Sequence, residues 1–243
     1  MSKFLITTGW NQNGYQRDSK VLDLSIKGGS NCQDWAEFPK DVVAATGGVI
    51  QDVVVICGGG DASTEFNECY SLNGQAATLI THMSAKRQYA ASLVIDKTKL
   101  WITGGVYLAS SEYITLEGIE PGPELPTIID SHALVAIDNA LSMLIGGSRM
   151  GNVATQTTHY FDHQSHNWTQ GPDLMQARWG HAAGIVTDQV TNEELVIVTG
   201  GDRYGILLDS TEMLLNNQWH QGKIAHSFDS HYRQKSDTIR IIT

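Results

Sequence analysis

Four glycine doublets close four apolar runs along this chain: Val53-Val54-Val55-Ile56-Cys57-Gly58-Gly59, Leu100-Trp101-Ile102-Thr103-Gly104-Gly105, Leu141-Ser142-Met143-Leu144-Ile145-Gly146-Gly147 and Leu195-Val196-Ile197-Val198-Thr199-Gly200-Gly201. Their first glycines, Gly58, Gly104, Gly146 and Gly200, stand 46, 42 and 54 residues apart. A repeat of roughly 50 residues is the length of one propeller blade. An earlier copy, Lys3-Phe4-Leu5-Ile6-Thr7-Thr8-Gly9-Trp10, has one glycine and lies 49 residues before Gly58. Gly47-Gly48 falls between phases and is set aside.

Around each doublet the same four-strand grammar recurs. The innermost strand is small and apolar, as in His181-Ala182-Ala183-Gly184-Ile185-Val186, His132-Ala133-Leu134-Val135 and Tyr89-Ala90-Ala91-Ser92-Leu93-Val94, because blades taper toward a crowded axis. The second strand ends at the glycines. A third opens on Ser/Thr-Glu, in Ser111-Glu112-Tyr113-Ile114 and Ser210-Thr211-Glu212-Met213, with a looser copy in Asn67-Glu68-Cys69-Tyr70; its alternation suits a half-buried strand. The fourth carries an aromatic anchor, in Asn167-Trp168-Thr169-Gln170 and Asn217-Gln218-Trp219-His220. A Leu-Met or Leu-Pro turn then leads to an Arg, as in Leu174-Met175-Gln176-Ala177-Arg178.

On these motifs the chain resembles the kelch-repeat family of β-propellers over roughly residues 3 to 222. The resemblance implies an all-β fold of five recognisable four-stranded blades, or an incomplete six-bladed ring. The repeats fall at about 3–38, 39–82, 83–126, 127–174 and 175–222 of one domain spanning 1–243, with 223–243 a closing or degenerate tail. Where Trp168 and Trp219 stand, other repeats offer Cys32, Ala76 and Ile119; where Arg178 stands, they offer Lys86 and Ile129. The chain opens directly in a second strand, so the tail strand Asp237-Thr238-Ile239-Arg240-Ile241-Ile242-Thr243 either completes the first blade or begins a sixth. Exposed sheet edges invite aggregation, which is the reason to expect such a closure.

A net charge of −10 argues against a surface built for phosphate backbones, so no nucleic-acid partner is expected. No apolar run approaches the ~20 residues of a membrane-spanning helix, and no membrane partner is expected. The start carries no secretory leader, which favours the cytoplasm for a full-length product and leaves an extracellular origin for a truncated one. Three cysteines are too few for a disulfide framework and show no C-x-x-C spacing. Cys57 ends a second strand and Cys69 lies in the next, so antiparallel pairing brings them within bonding range; the alternative is that both are small core residues.

No catalytic residue, cofactor or metal site is expected. P-loop, G-x-S-x-G, G-x-G-x-x-G and H-E-x-x-H patterns are missing. His159 and His163 on a strand lie ~13 Å apart, too far for one metal. His132 and His181 occupy one repeat position, where a structural hydrogen bond is expected.

The resemblance implies a protein or peptide partner bound by residues just after the doublets and by the Arg before each inner strand. The first set is Trp10, Tyr107, Arg149, Arg203 and Tyr204; the second is Lys86 or Arg87, and Arg178. Arg forks onto carboxylates and aromatics add rigid contact area, so an acidic peptide would suit such a face. The competing reading is that Arg178 and Lys86 pair with strand-end carboxylates between blades. Kelch rings also include sugar epimerases and copper radical oxidases, and a purely structural scaffold, such as an actin-associated one, is a third class.

Overall fold

The computed structural model describes residues 3–11, 14–23, 32–34, 36–73, 76–150, 152–187 and 192–222; up to residue 33 only the backbone strands are described. The tail strand proposed for ring closure lies outside the described residues, as does the side chain of Trp10, whose backbone is in the first strand. Every described element is a strand, and no described helix is long and apolar enough to cross a membrane.

The strands form successive antiparallel sheets. The first holds β1 (Lys3–Asn11), β2 (Gly14–Asp23) and β3 (Cys32–Asp34). The second holds β4 (Thr46–Ile50), β5 (Val53–Cys57), β6 (Glu68–Leu72) and β7 (Ala77–His82). The third holds β8 (Ala91–Ile95), β9 (Lys99–Thr103), β10 (Ser111–Ile114) and β11 (Ile119–Pro121). The fourth holds β12 (Ala133–Ala136), β13 (Leu141–Ile145), β16 (Thr158–Asp162) and β17 (Asn167–Gln170), with a small hairpin, β14 (Ser148–Arg149) and β15 (Val153–Ala154), between its middle strands. The fifth repeats that plan with β18 (Ala182–Thr187), β19 (Glu194–Thr199), β22 (Thr211–Leu215) and β23 (Gln218–Gly222), and with a hairpin of β20 (Asp202–Arg203) and β21 (Ile206–Leu207). Four-stranded antiparallel meanders of this kind, repeated along an all-β chain, are consistent with a β-propeller-like fold. The chain divides into two compact units. One contains the first three sheets; the other contains the fourth and fifth, together with Tyr107–Ala109.

Register gives the sheets a common numbering. Thr46, Ala91, Ala133 and Ala182 open the inner strands and pair with Cys57, Thr103, Ile145 and Thr199, the last residues of the second strands. Those in turn face Cys69, Ser111, Thr158 and Thr211 in the third strands. Two expectations shift, one by a single residue and the other by two. Ala77, not Ala76, faces Leu72 at the position where Trp219 faces Leu214, and Glu68 stands two places before the position of Glu112 and Glu212, which Tyr70 occupies here. Gly47-Gly48, out of phase with the doublets, lies inside the inner strand β4, where a Cβ on Gly48 would approach Leu100 and Val94 side chains at 2.7 Å.

The doublets are glycine because their backbone strongly disfavours a side chain. All eight residues, Gly58-Gly59, Gly104-Gly105, Gly146-Gly147 and Gly200-Gly201, have positive φ, from 55° to 117°. At Gly147 (φ 110°) a Cβ would lie 2.7 to 2.8 Å from His132 Cβ, the Asp130 carbonyl and Ile129. Gly147→Ala is therefore expected to lose about 2–3 kcal/mol from backbone strain and overlap together, read as a lowered urea midpoint at unchanged slope.

Apolar clusters lie between neighbouring sheets of the same unit. In the first, Val55 and Cys57 pack with Leu100, Ile102 and Ile114; in the second, Met143 and Ile145 pack with Val196, Val198 and Trp219. Trp219 is anchored by its indole N–H, which donates to the Pro172 carbonyl at 2.9 Å.

Candidate binding surface

At the doublet end of each four-stranded sheet two kinds of connection meet: the loop between second and third strands, and the linker that enters the inner strand. The linkers share one pattern. Phe38, Met83, Leu125 and Leu174, each eight residues before the first residue of an inner strand, are all buried. Four residues after each of them comes the Arg position, occupied by Val42, Arg87, Ile129 and Arg178.

Here the structure corrects the expectation that these arginines meet a ligand. Arg87 and Arg178 are 1% and 0% exposed. Arg87 reaches Glu112 through Nε at 3.0 Å and Nη2 at 2.8 Å, and donates Nη1 to the carbonyls of Gly104 and Ser110. Arg178 Nη2 reaches Glu212 at 2.7 Å, with Nη1 on the carbonyls of Gly200 and Ser210. Each arginine thus ties its linker to the sheet that follows. Its own carbonyl accepts from the preceding doublet, Gly59 N–H for Arg87 and Gly147 N–H for Arg178. Lys86 is exposed and is not the counterpart of Arg178.

The carboxylates are saturated as well. Glu112 accepts the Ser84 N–H at 2.8 Å, and Glu212 accepts those of Met175 and Gln176 at 2.6 and 3.1 Å. Where the linker lacks Arg, both partners change with it. Val42 and Ile129 are 0% exposed, the Glu position becomes Tyr70 and His159, and the donor position of Ser84 and Met175 becomes Pro39 and Pro126, which have no N–H. The three positions vary together because a buried charge without its counter-charge, or a carboxylate without its donors, would be costly. A small pocket of about 120 Å³ beside Glu212, lined by Met175, Gln176, Ser210 and Gln221, offers a ligand little from that occupied carboxylate.

His181 departs from expectation. His181 is buried, yet neither ring nitrogen completes a hydrogen bond of good geometry, although the Ile145 backbone lies within its reach. Burial, reinforced by the Arg178 charge and opposed by the Ile145 backbone, pushes it down to about 3. Among the described residues no group of three or more His, Cys, Asp and Glu is placed to hold a metal ion. His163 instead shares a 2.8 Å hydrogen bond with the buried Ser142. His159 titrates below its ordinary range, because of burial first and the Arg149 charge second.

The loop residues behave differently. Arg149, Arg203, Tyr107 and Tyr204 are exposed, the tyrosines at 69% and 63%. Arg149 is partly engaged: its Nη2 donates to Thr157 Oγ1 at 3.2 Å, the hydroxyl position that Arg87 and Arg178 serve in their own sheets. The Arg203 guanidinium lies 5.9 Å from the Tyr204 ring. Beside them Met150, Ile206 and Leu207 are more than 60% exposed, residues the sequence reading did not single out. Tyr107 and Tyr204 also hold left-handed backbone, with φ of 60° and 57°. Tyr204-Gly205 is the two-residue turn of the β20–β21 hairpin, whose twist requires positive φ at both positions. Asp61 and Asp202, which also follow doublets, are occupied locally: Asp61 accepts from Ser63 and Thr64, and Asp202 from the Gly205 N–H.

Neither a family model nor a curated protein matches the sequence. Among solved structures, the chain is similar to the structure of YjhT, with a TM-score of 0.73 over 88% of this chain and 79% of that one. At 16% identity this is a likeness of fold alone.

Proposed function

We propose that this chain is a kelch-type propeller with five recognisable repeats that binds a protein or peptide segment through the loops following its glycine doublets. The observation that carries the reading is the placement of Tyr107 and Tyr204. A bulky side chain in left-handed backbone costs of order 1 kcal/mol or more relative to glycine, and neither ring is repaid by burial. Residues kept against local preference at exposed tips suit contact with something outside the chain. With Arg203 against Tyr204, and Ile206, Leu207 and Met150 exposed nearby in sequence, the loops offer the aromatic, aliphatic and guanidinium groups of an interaction hot spot. Arg87 and Arg178 take no part in contact and serve to hold the loops' framework.

The test compares wild type with Arg203→Ala/Tyr204→Gly by affinity capture. The variant is expected to melt at or slightly above the wild-type temperature, since glycine relieves φ, and to lose the captured protein at least tenfold. Equal recovery by a folded variant would overturn the proposal.

A further inference from the structure

We infer that the protein acquires a Cys57–Cys69 disulfide as it folds in an oxidising compartment and keeps it as a permanent cross-link rather than a redox switch. The inference is independent of the binding reading above. Cys57 and Cys69 face each other across β5 and β6, Cα atoms 4.1 Å apart, and their sulfurs are bonded. The Gly58 N–H donates to the Glu68 carbonyl one step along the ladder, which makes the cysteines a non-hydrogen-bonded pair, the kind whose side chains approach most closely.

The repeats show what this position ordinarily needs. Its counterparts are Thr199 with Thr211, joined by a 2.9 Å hydroxyl hydrogen bond, Thr103 with Ser111, and Ile145 with Thr158. Thr, Ser and Ile all serve at this position, so packing alone does not call for two thiols. Two of the three cysteines in 243 residues nevertheless occupy both halves of one such pair.

Accessibility then decides between staple and switch. Both residues are 0% exposed, enclosed by Ile50, Val55, Met83, Leu100, Ile102 and Ile114. Thiol–disulfide exchange requires a thiolate to reach a sulfur, and regulatory bonds are exposed ones. A bond at this depth is neither made nor broken in the folded sheet. It forms while β5 and β6 are still open: one cysteine thiolate attacks an oxidised dithiol carrier, releasing one carrier thiol. The second cysteine attacks the mixed disulfide, releasing the other. Two electrons and two protons leave the protein for the carrier. Carriers of that class in the oxidised state belong to extracytoplasmic compartments.

The test uses the full chain produced in an oxidising and in a reducing host compartment. Material from the first is denatured without reductant, alkylated and mapped by mass spectrometry; peptides bearing Cys57 and Cys69 are expected linked and unalkylated. Folded protein is expected to keep the bond in dithiothreitol that reduces it at once in denaturant. Material from the reducing compartment is expected to melt about 6–12 °C lower, the effect of a short cross-linked loop in a domain of this size. Cys57→Thr/Cys69→Thr, which copies the Thr199–Thr211 pair, is expected to melt at one temperature from either host. Alkylation of both cysteines in the oxidised preparation would overturn the inference, as would rapid reduction of the folded protein. The mass readout is made on the wild-type chain, so it holds even if the variant does not fold.

Discussion

Arg87→Ile is expected to unfold with a stability loss of about 3–5 kcal/mol, the cost of leaving one half of a buried ion pair in place. Glu112 would keep its Ser84 N–H while losing the guanidinium that neutralises it, and the Gly104 and Ser110 carbonyls would lose their donors. The protein already contains the remedy. Its fourth sheet has Ile129, His159 and Pro126 where the third has Arg87, Glu112 and Ser84. Adding Glu112→His and Ser84→Pro to Arg87→Ile is therefore expected to recover most of the loss, since the charge, its partner and the orphaned donor leave together. Urea unfolding of the single, double and triple variants measures this directly. A single variant within 1 kcal/mol of wild type, or a triple variant no better than the single, would show that the three positions are not energetically coupled. A buried ion pair is often no better than a well-packed apolar pair, so the triple variant has no inherent deficit to overcome.

Acidification gives the second large effect, through His181. Its folded-state value of about 3 lies well below the ordinary 6.5 because the buried ring resists charging beside Arg178. The unfolded chain therefore binds a proton that the folded one refuses. Stability from this group is complete above pH 6.5 and falls as pH drops, by about 1.4 kcal/mol per unit, levelling off near pH 3 after a loss on the order of 5 kcal/mol. Two other repeats carry Ala at this position, Ala45 and Ala90. His181→Ala is expected to cost about 2 kcal/mol at pH 7 through lost packing and to remove this slope, so that the two stability curves cross near pH 5. Parallel curves over pH 7 to 4 would assign the acid sensitivity elsewhere.

The fold was legible where backbone geometry restricts the amino acid. Positive φ at every doublet residue favours glycine, and the length of a four-stranded sheet fixes the spacing, so period and strand order can be read from residues 53 to 222. Arg87 and Arg178 could not be placed by type alone, because a guanidinium before an inner strand reads equally as a ligand contact or a buried tie. The discriminating sign was a correlation: Glu112 and Glu212 accompany Arg, whereas Pro39 and Pro126 accompany Val42 and Ile129. Reading each position singly misses it. His181 was misjudged because a histidine beside a strand ordinarily finds a well-formed hydrogen bond, and nothing in its neighbours announces that neither nitrogen completes one. Tyr107, Arg149, Arg203 and Tyr204 were singled out from their place after the doublets; the left-handed backbone under the tyrosines becomes visible only in three dimensions.

The arginine ties also set how this chain can be cut and recombined. Arg87 lies in the linker after β7 but spends its donors on Gly104, Ser110 and Glu112, all in the sheet that begins at β8. The transplantable module is therefore a sheet together with the linker that precedes it, roughly residues 83 to 121, and not the four strands alone. A chimaera joined at the start of an inner strand would mix an Arg linker with a neutral sheet, or the reverse, while one joined just before Met83 or Leu174 would carry each charge with its answer.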